Sequence, residues 1–151
     1  MRFDVIQLDD GWELNVGDWE VNKKFPSGMT SLADRIRKTG RIAGLWLAPF
    51  MVTLKSTLAR QHPDWLLRDE RGQLVRAGLC WNGTTYALDT GHPEVLEWVE
   101  ALIHKVYGWG FEYLKLDFLY AGALPVNRRN GLQRELAYRQ AMQRIRVAAG
   151  K

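Results

Sequence analysis

The strongest constraint on this chain is an alternation: short apolar runs, each followed after a turn by a segment of helical period, recur along it. Residues 3–8 (Phe-Asp-Val-Ile-Gln-Leu) are a β-rich run stopped abruptly by Asp9-Asp10-Gly11-Trp12. Ser31 predicts the start of a helix that runs to Arg37 or Lys38 and closes at Gly40. Residues 42–48 (Ile-Ala-Gly-Leu-Trp-Leu-Ala) then read as a second strand bounded by Pro49. Strand, loop, helix, strand is one βαβ unit, and such crossovers join parallel strands with nearly invariant handedness.

The stretch 15–29, rich in Gly, Asp, Asn and Pro, shows no sustained period and reads as a long loop of functional type. Residues 56–61 suggest a short helix, 69–73 a tight polar turn, and 85–89 a further strand. Pro93 suits a first helical position, with Glu94 beside the helix N-terminus and Val95, Val99, Leu102 and Val106 on one face up to Gly108. Residues 111–118 follow as a strand, and 131–149 as an amphipathic helix with Leu132, Leu136, Ile145 and Ala148 on one side. Repeated strand-helix units without hairpin signals predict an α/β fold with a parallel sheet, either doubly wound or a (β/α) barrel. No Gly-x-Gly-x-x-Gly follows the first strand and no Gly-Lys-Ser/Thr phosphate loop occurs.

Composition narrows the class. With 46% hydrophobic and 25% charged residues and a single cysteine, the 151-residue chain is neither disordered nor a disulfide scaffold. No run approaches a membrane span, and no secretion signal is visible at the start, so no membrane partner is expected. Lone Cys80 fits a reducing compartment, and a cytoplasmic location is expected. The net charge of +4 is concentrated in residues 126–151, where seven basic side chains face only Glu135. A phosphate groove usually collects basic residues from several elements, so no nucleic-acid partner is expected. His62, His92 and His104 have no metal-ligand spacing with Cys80, and no metal site is expected.

In α/β architectures ligands bind at the C-terminal ends of the strands. Those ends carry Asp9 and Asp10, Trp46, and Lys115 with Asp117. Lys115 and Asp117, two apart in a strand, point to one face, and an ammonium beside a carboxylate favours its charged form, as a nucleophilic Asp requires. A structural ion pair explains the same two residues. Asp9 and Asp10 suit a grip on vicinal hydroxyls with indoles stacking on a sugar, or equally an acidic turn anchored by Trp12. Trp46 shares a face with small Gly44 and Ala48, which predicts space above its ring. Trp12, Trp19, Trp46, Trp65 and Trp81 lie in or near loops or strand ends, where each singly favours a packing anchor.

Six motifs in order then carry a resemblance: Leu8-Asp9-Asp10-Gly11-Trp12; Gly17-Asp18-Trp19 with Phe25-Pro26 and Gly28-Met29; Gly44-Leu45-Trp46-Leu47-Ala48-Pro49-Phe50; His62-Pro63-Asp64-Trp65; Ala87-Leu88-Asp89 with His92-Pro93; and Tyr113-Leu114-Lys115-Leu116-Asp117-Phe118. Together they resemble the catalytic domain of the α-galactosidases (melibiases) of glycoside hydrolase family 36, over essentially the whole chain. The resemblance implies a (β/α)8 TIM barrel that hydrolyses terminal α-galactosides, such as melibiose and raffinose, with retention. It implies Asp117 as nucleophile, Lys115 as a ligand of sugar hydroxyls, Asp9 and Asp10 as the pair holding the 4- and 6-hydroxyls, and Trp46 as a pocket residue. It implies no cofactor, since the mechanism needs two carboxyls and water.

The departure concerns the second carboxyl. In the family the acid/base Asp lies well downstream of Lys-x-Asp, beyond residue 151, and none of Asp18, Glu20, Asp64 and Asp89 matches it. The family's β-sandwich domain before the barrel and smaller β domain after it are absent as well. The expectation is therefore a single partial barrel domain over 1–151, a fragment weak or inactive alone, from a homo-oligomeric parent. The alternatives are an α-N-acetylgalactosaminidase or a raffinose-type galactosyltransferase of the same clan, or a non-catalytic galactose-binding piece.

Overall fold

The computed structural model describes residues 3–80, 83–129 and 131–150. In chain order the elements are β1 (Val5–Leu8), β2 (Glu13–Asn15), β3 (Asp18–Val21), α1 (Gly28–Arg37), β4 (Ile42–Leu47), β5 (Met51–Thr53), α2 (Thr57–Gln61), β6 (Arg76–Cys80), β7 (Gly83–Ala87), α3 (Pro93–Gly108), β8 (Tyr113–Leu116) and α4 (Arg134–Ala148). Short 3₁₀ turns occupy Pro63–Trp65 and Leu119–Ala123.

The centre is a parallel sheet in the order β1-β4-β8. Leu8 pairs with Leu45, and Trp46 with Lys115, so the three strands end at nearly one level. β4 lies between the other two, and Ala43, Leu45 and Leu47 are fully buried. α1 and α3 supply the crossovers. Met29, Ala33 and Ile36 form the buried face of α1, and Val95, Val99, Leu102, Ile103 and Val106 that of α3. As the sequence predicts, Pro93 opens α3, and the N-cap His92 accepts a hydrogen bond at Nδ1 from the Glu94 amide (3.3 Å). Among the described residues no helix is long and apolar enough to cross a membrane.

Four sequence expectations need correction. The stretch 15–29 holds most of an antiparallel hairpin, β2 with β3, turned through Val16 and Gly17. Gly17 has φ +107°, and a Cβ there would lie 2.9 Å from the Val52 side chain, so only glycine makes this turn. Second, the excursion between β4 and α3 is an antiparallel sheet, β5-β7-β6, so the strand expected at 85–89 belongs to it and not to the parallel sheet. Third, α1 starts at Gly28, three residues before Ser31, because Met29 completes its buried face. Fourth, α4 buries Ala137, Ala141, Ile145 and Ala148, while Leu136 is exposed. At about 100° per residue, Leu136 and Ile145 fall on opposite faces of the helix.

The basic C-terminal segment is not one charged face. Arg128 is buried, donating from Nη2 to Gly122 O (2.8 Å) and from Nη1 to Val126 O (3.0 Å), with Asp89 Oδ1 3.9 Å from its Nε. Burial lowers its pKa, the Asp89 charge opposing this. Arg129 bonds Asp64 O and Arg144 pairs with Glu100, so three of these arginines serve structure.

Candidate active site

Parallel pairing carries the ends of β1, β4 and β8 to one rim. The Asp117 amide extends the ladder one residue past β8, donating to Leu47 O (2.8 Å). Directly after it the chain turns through Phe118, whose φ of 51° is the only positive value among the described non-glycine residues. For a bulky residue this left-handed conformation costs on the order of 1–3 kcal/mol, and such strain clusters at functional sites. The turn aims the Asp117 carboxylate back over the sheet: Oδ1 accepts from the Phe118 amide (2.8 Å) and Oδ2 from Trp46 Nε1–H (3.1 Å).

Lys115 does not pair with Asp117 as the two-residue spacing suggests. Its Nζ donates to Asp9 Oδ2 at 2.7 Å, reaching over β4 to the end of β1. Neighbouring strands are about 4.8 Å apart, and the long lysine stem spans two such steps with the aspartate's help. The Lys115 hydrogen bond holds the Asp9 carboxyl below its ordinary pKa; the same contact, reinforced by the charges of Asp9, Asp117 and Asp10, raises that of Lys115. The Lys115 and Asp9 side chains are 40% and 52% exposed, so both can be reached by a ligand. The Asp10 amide donates to Asp9 Oδ1 (3.0 Å), fixing the two aspartates relative to each other.

Trp46 departs furthest from expectation. It is 1% exposed, with no open space above its ring. Gly44 leaves no room there: a Cβ on it would come within 2.9 Å of Gln7 Cβ and the Tyr113 ring, so the glycine admits its neighbours. The Trp46 ring packs edge-on against Trp19 (5.8 Å between centroids) and Phe118 (6.5 Å), and its carbonyl accepts from Trp12 Nε1–H (3.0 Å). Trp12, Trp19 and Trp65 are buried too, in line with the packing-anchor reading. Trp81 lies outside the described residues.

Two neighbours of the rim carry no sequence signal. Cys80, at the end of β6, has its thiol pKa raised first by burial, with a hydrogen bond from Thr85 opposing this and the charges of Asp117 and Asp10 adding to it. The Tyr120 hydroxyl donates to Ala77 O and so ties the turn after Asp117 to β6. The other carboxylates are engaged elsewhere. Asp18 caps α2, accepting from the amides of Thr57 (2.9 Å) and Leu58 (3.1 Å). Glu20 pairs with Lys105, and Asp64 with Arg129 and His92. Asp89 accepts from the amides of Gly91 and Arg129.

Fold and rim define an α/β protein with its acidic groups at the carboxyl ends of parallel strands, where such folds bind ligands. The family model described as Melibiase matches residues 3–148, and the chain belongs to that family. It is similar to TtGalA, an alpha-galactosidase from Thermus thermophilus solved in complex with p-nitrophenyl alpha-D-galactopyranoside. The two are 54% identical with a TM-score of 0.90, over 99% of this chain and 30% of that one. Alpha-galactosidase AgaA of Geobacillus stearothermophilus is 32% identical, over 97% of this chain and 21% of that protein. The A type blood alpha-D-galactosamine galactosaminidase of Flavonifractor plautii is 34% identical, over 77% of this chain and 12% of its own length. The chain thus spans less than a third of the length of these relatives.

Proposed function

We propose that these residues form the nucleophile-bearing part of a (β/α)8 barrel in a retaining α-galactosidase acting on α-galactoside oligosaccharides in the cytoplasm, residues 1–151 being one partial domain. The observation that carries the reading is the pair of unlike carboxylates on one rim. Asp117 is held by two neutral donors, and Asp9 is bridged to Lys115 beside Asp10. The similarity to TtGalA, solved with an aryl α-galactoside and with stachyose, supports the substrate class.

In this mechanism Asp9 and Asp10 accept hydrogen bonds from galactose hydroxyls, Lys115 donates one, and Trp46 belongs to the pocket. The Asp117 carboxylate attacks the anomeric carbon as the bond to the leaving oxygen breaks, and that oxygen takes a proton from a second carboxylic acid. Water, deprotonated by the same group, then displaces Asp117. Retention places the second carboxyl about 5–5.5 Å from the nucleophile. Asp18, Glu20, Asp64 and Asp89 are engaged elsewhere, and the donor is assigned to barrel strands other than these three.

The test uses the full-length gene product and an aryl α-galactoside. Asp117→Gly should lower kcat by about 10⁴-fold or more. Azide should restore turnover by entering the vacated face to give the β-galactosyl azide. Hydrolysis that survives the substitution removes Asp117 from the role. The Flavonifractor relative, named for alpha-D-galactosamine, favours a second reading, an enzyme acting on a 2-amino sugar of this type, and the matching aryl α-D-galactosaminide in the same assay decides between them. Faster turnover of the galactoside supports the first.

A further inference from the structure

Asp10 is aimed by its backbone alone. Among the described residues its carboxylate accepts no hydrogen bond and enters no ion pair, whereas Asp9 is held by Lys115 and Asp117 by two donors. The two peptide groups that flank the Asp10 Cα are nevertheless both fixed. The Asp10 amide donates to Asp9 Oδ1 (3.0 Å), and the Gly11 amide donates to Glu13 Oε2 (3.0 Å). With those two planar groups set, the Cα–Cβ direction of Asp10 is set, and only its side-chain torsions remain.

The next link is Asn22, the first residue after β3, opposite Trp12 at the open end of the hairpin. Its backbone amide donates to Trp12 O (2.9 Å). Its side-chain Nδ2 donates to Gly11 O (2.9 Å) and to Glu13 O (3.0 Å), and its Oδ1 accepts from the Lys24 amide (2.9 Å). Two carbonyls need donors and one amide needs an acceptor, so a carboxamide in this one orientation satisfies all three. Lys24 Nζ adds a longer bond to Gly11 O (3.3 Å) from the exposed side. Gly11 has φ +89°, a conformation that side-chain-bearing residues rarely adopt, so the turn is tight as well as pinned. The far end of the hairpin is docked: Val16 O accepts from the Thr53 amide (2.9 Å), and Asp18 caps α2. The clip thus stands on a fixed base.

Resting on the galactosidase reading above, we infer that Asn22 is a positioning residue for Asp10: its carboxamide pins the Gly11 and Glu13 carbonyls and so holds the turn that presents the Asp10 carboxylate to a sugar hydroxyl. The device suits the task. A carboxylate in an ion pair uses part of its accepting capacity on its partner, as Asp9 does on Lys115, while Asp10 keeps both oxygens for the substrate. The acceptor is ordered when the hairpin folds, before any sugar binds, so that ordering does not weaken binding. Lys24, exposed and at the longer distance, holds the same carbonyl more loosely.

The test is a double-mutant cycle in the full-length gene product with an aryl α-galactoside, built on Asn22→Ala and Asp10→Ala. With Asp10 present, Asn22→Ala should raise KM about 10-fold and leave kcat within about threefold, as for a misplaced charged acceptor. In the Asp10→Ala background the same substitution should change kcat/KM by less than about twofold, since the group it positions is gone. Equal losses in both backgrounds, a loss confined to kcat, or an unchanged KM overturns the proposal. Should Asn22→Ala not fold, Lys24→Met takes its place in the cycle. KM should then rise about threefold with Asp10 present and not without it, and no rise, or an equal rise in both backgrounds, overturns the proposal. A crystal structure of the Asn22→Ala protein supplies a readout without substrate: Asp10 Cβ should shift by about 1 Å or more while Asp9, held by Lys115, stays, and an unmoved Asp10 overturns the positioning. If the wild type hydrolyses no α-galactoside, the galactosidase reading fails, and this displacement still decides whether Asn22 sets Asp10.

Discussion

Two carboxylates stand on the same rim in opposite settings. Asp9, at the end of β1, is half-exposed and bound to an ammonium that draws its pKa down. Asp117, just past β8, takes its hydrogen bonds from an amide and an indole, both neutral. The difference follows from reach and burial. Lys115 has a long stem on an open face and extends across to β1, while Asp117 turns back over β4, where the buried Trp46 is the donor at hand. A group that only receives hydroxyls can keep a permanent counter-ion. A nucleophile is better oriented by dipoles, which leave its charge available to the reacting carbon.

If this division is right, substitutions on the two sides should affect different constants. Asp9→Ala removes an acceptor for sugar hydroxyls and leaves Lys115 without its partner. Its kcat/KM on an aryl α-galactoside should fall about 100-fold, most of it in KM, as for a lost hydrogen bond to a charged group. A fall in kcat alone, at constant KM, would erase the distinction between the two carboxylates.

Lys115→Met should act more mildly and on the same side, raising KM about 10-fold. It also carries a pH signature. Because Asp9 is depressed from the ordinary 3.8, the ion pair is complete above that value and is lost as pH falls through the lowered one. Because Lys115 is raised above 10.5, the pair persists at its basic end until pH climbs through the raised value. Between these limits it is intact. In Lys115→Met a carbon-detected titration of the Asp9 carboxyl should move up toward 3.8. No movement would show that the 2.7 Å contact does not govern Asp9 in solution.

The readable and unreadable parts of the molecule separate on physical grounds. α3 was legible because Pro93 and the spacing of Val95, Val99, Leu102 and Val106 state its start and its face together. The βαβ logic placed Asp9, Asp10, Trp46, Lys115 and Asp117 at strand ends, since parallel strands bring equivalent ends to one side. The hairpin at Val16-Gly17 was missed because it lacks an Asn-Gly or Asp-Gly turn and its strands have only three and four residues. β5, with three residues, is too short for a period of two to register.

Within the site, residue positions were legible and partnerships were not. Spacing put Lys115 beside Asp117, but a flexible lysine chooses its carboxylate in three dimensions and chose Asp9. An aromatic residue leaves no sign in sequence that it will take a left-handed φ, so the turn at Phe118 that aims Asp117 was invisible. The tie from Tyr120 to Ala77 depends on how the β5-β7-β6 excursion folds back, which is a long-range matter.

The central claim, that Asp117 attacks while Asp9 and Asp10 only hold, can be tested by trapping. A fluorinated galactosyl fluoride slows release of the glycosyl-enzyme, and proteolysis with mass spectrometry then locates the sugar on the full-length gene product. A single galactosyl adduct on Asp117, absent from Asp117→Gly, is the predicted result; an adduct on Asp9 or Asp10, or one that survives Asp117→Gly, contradicts it.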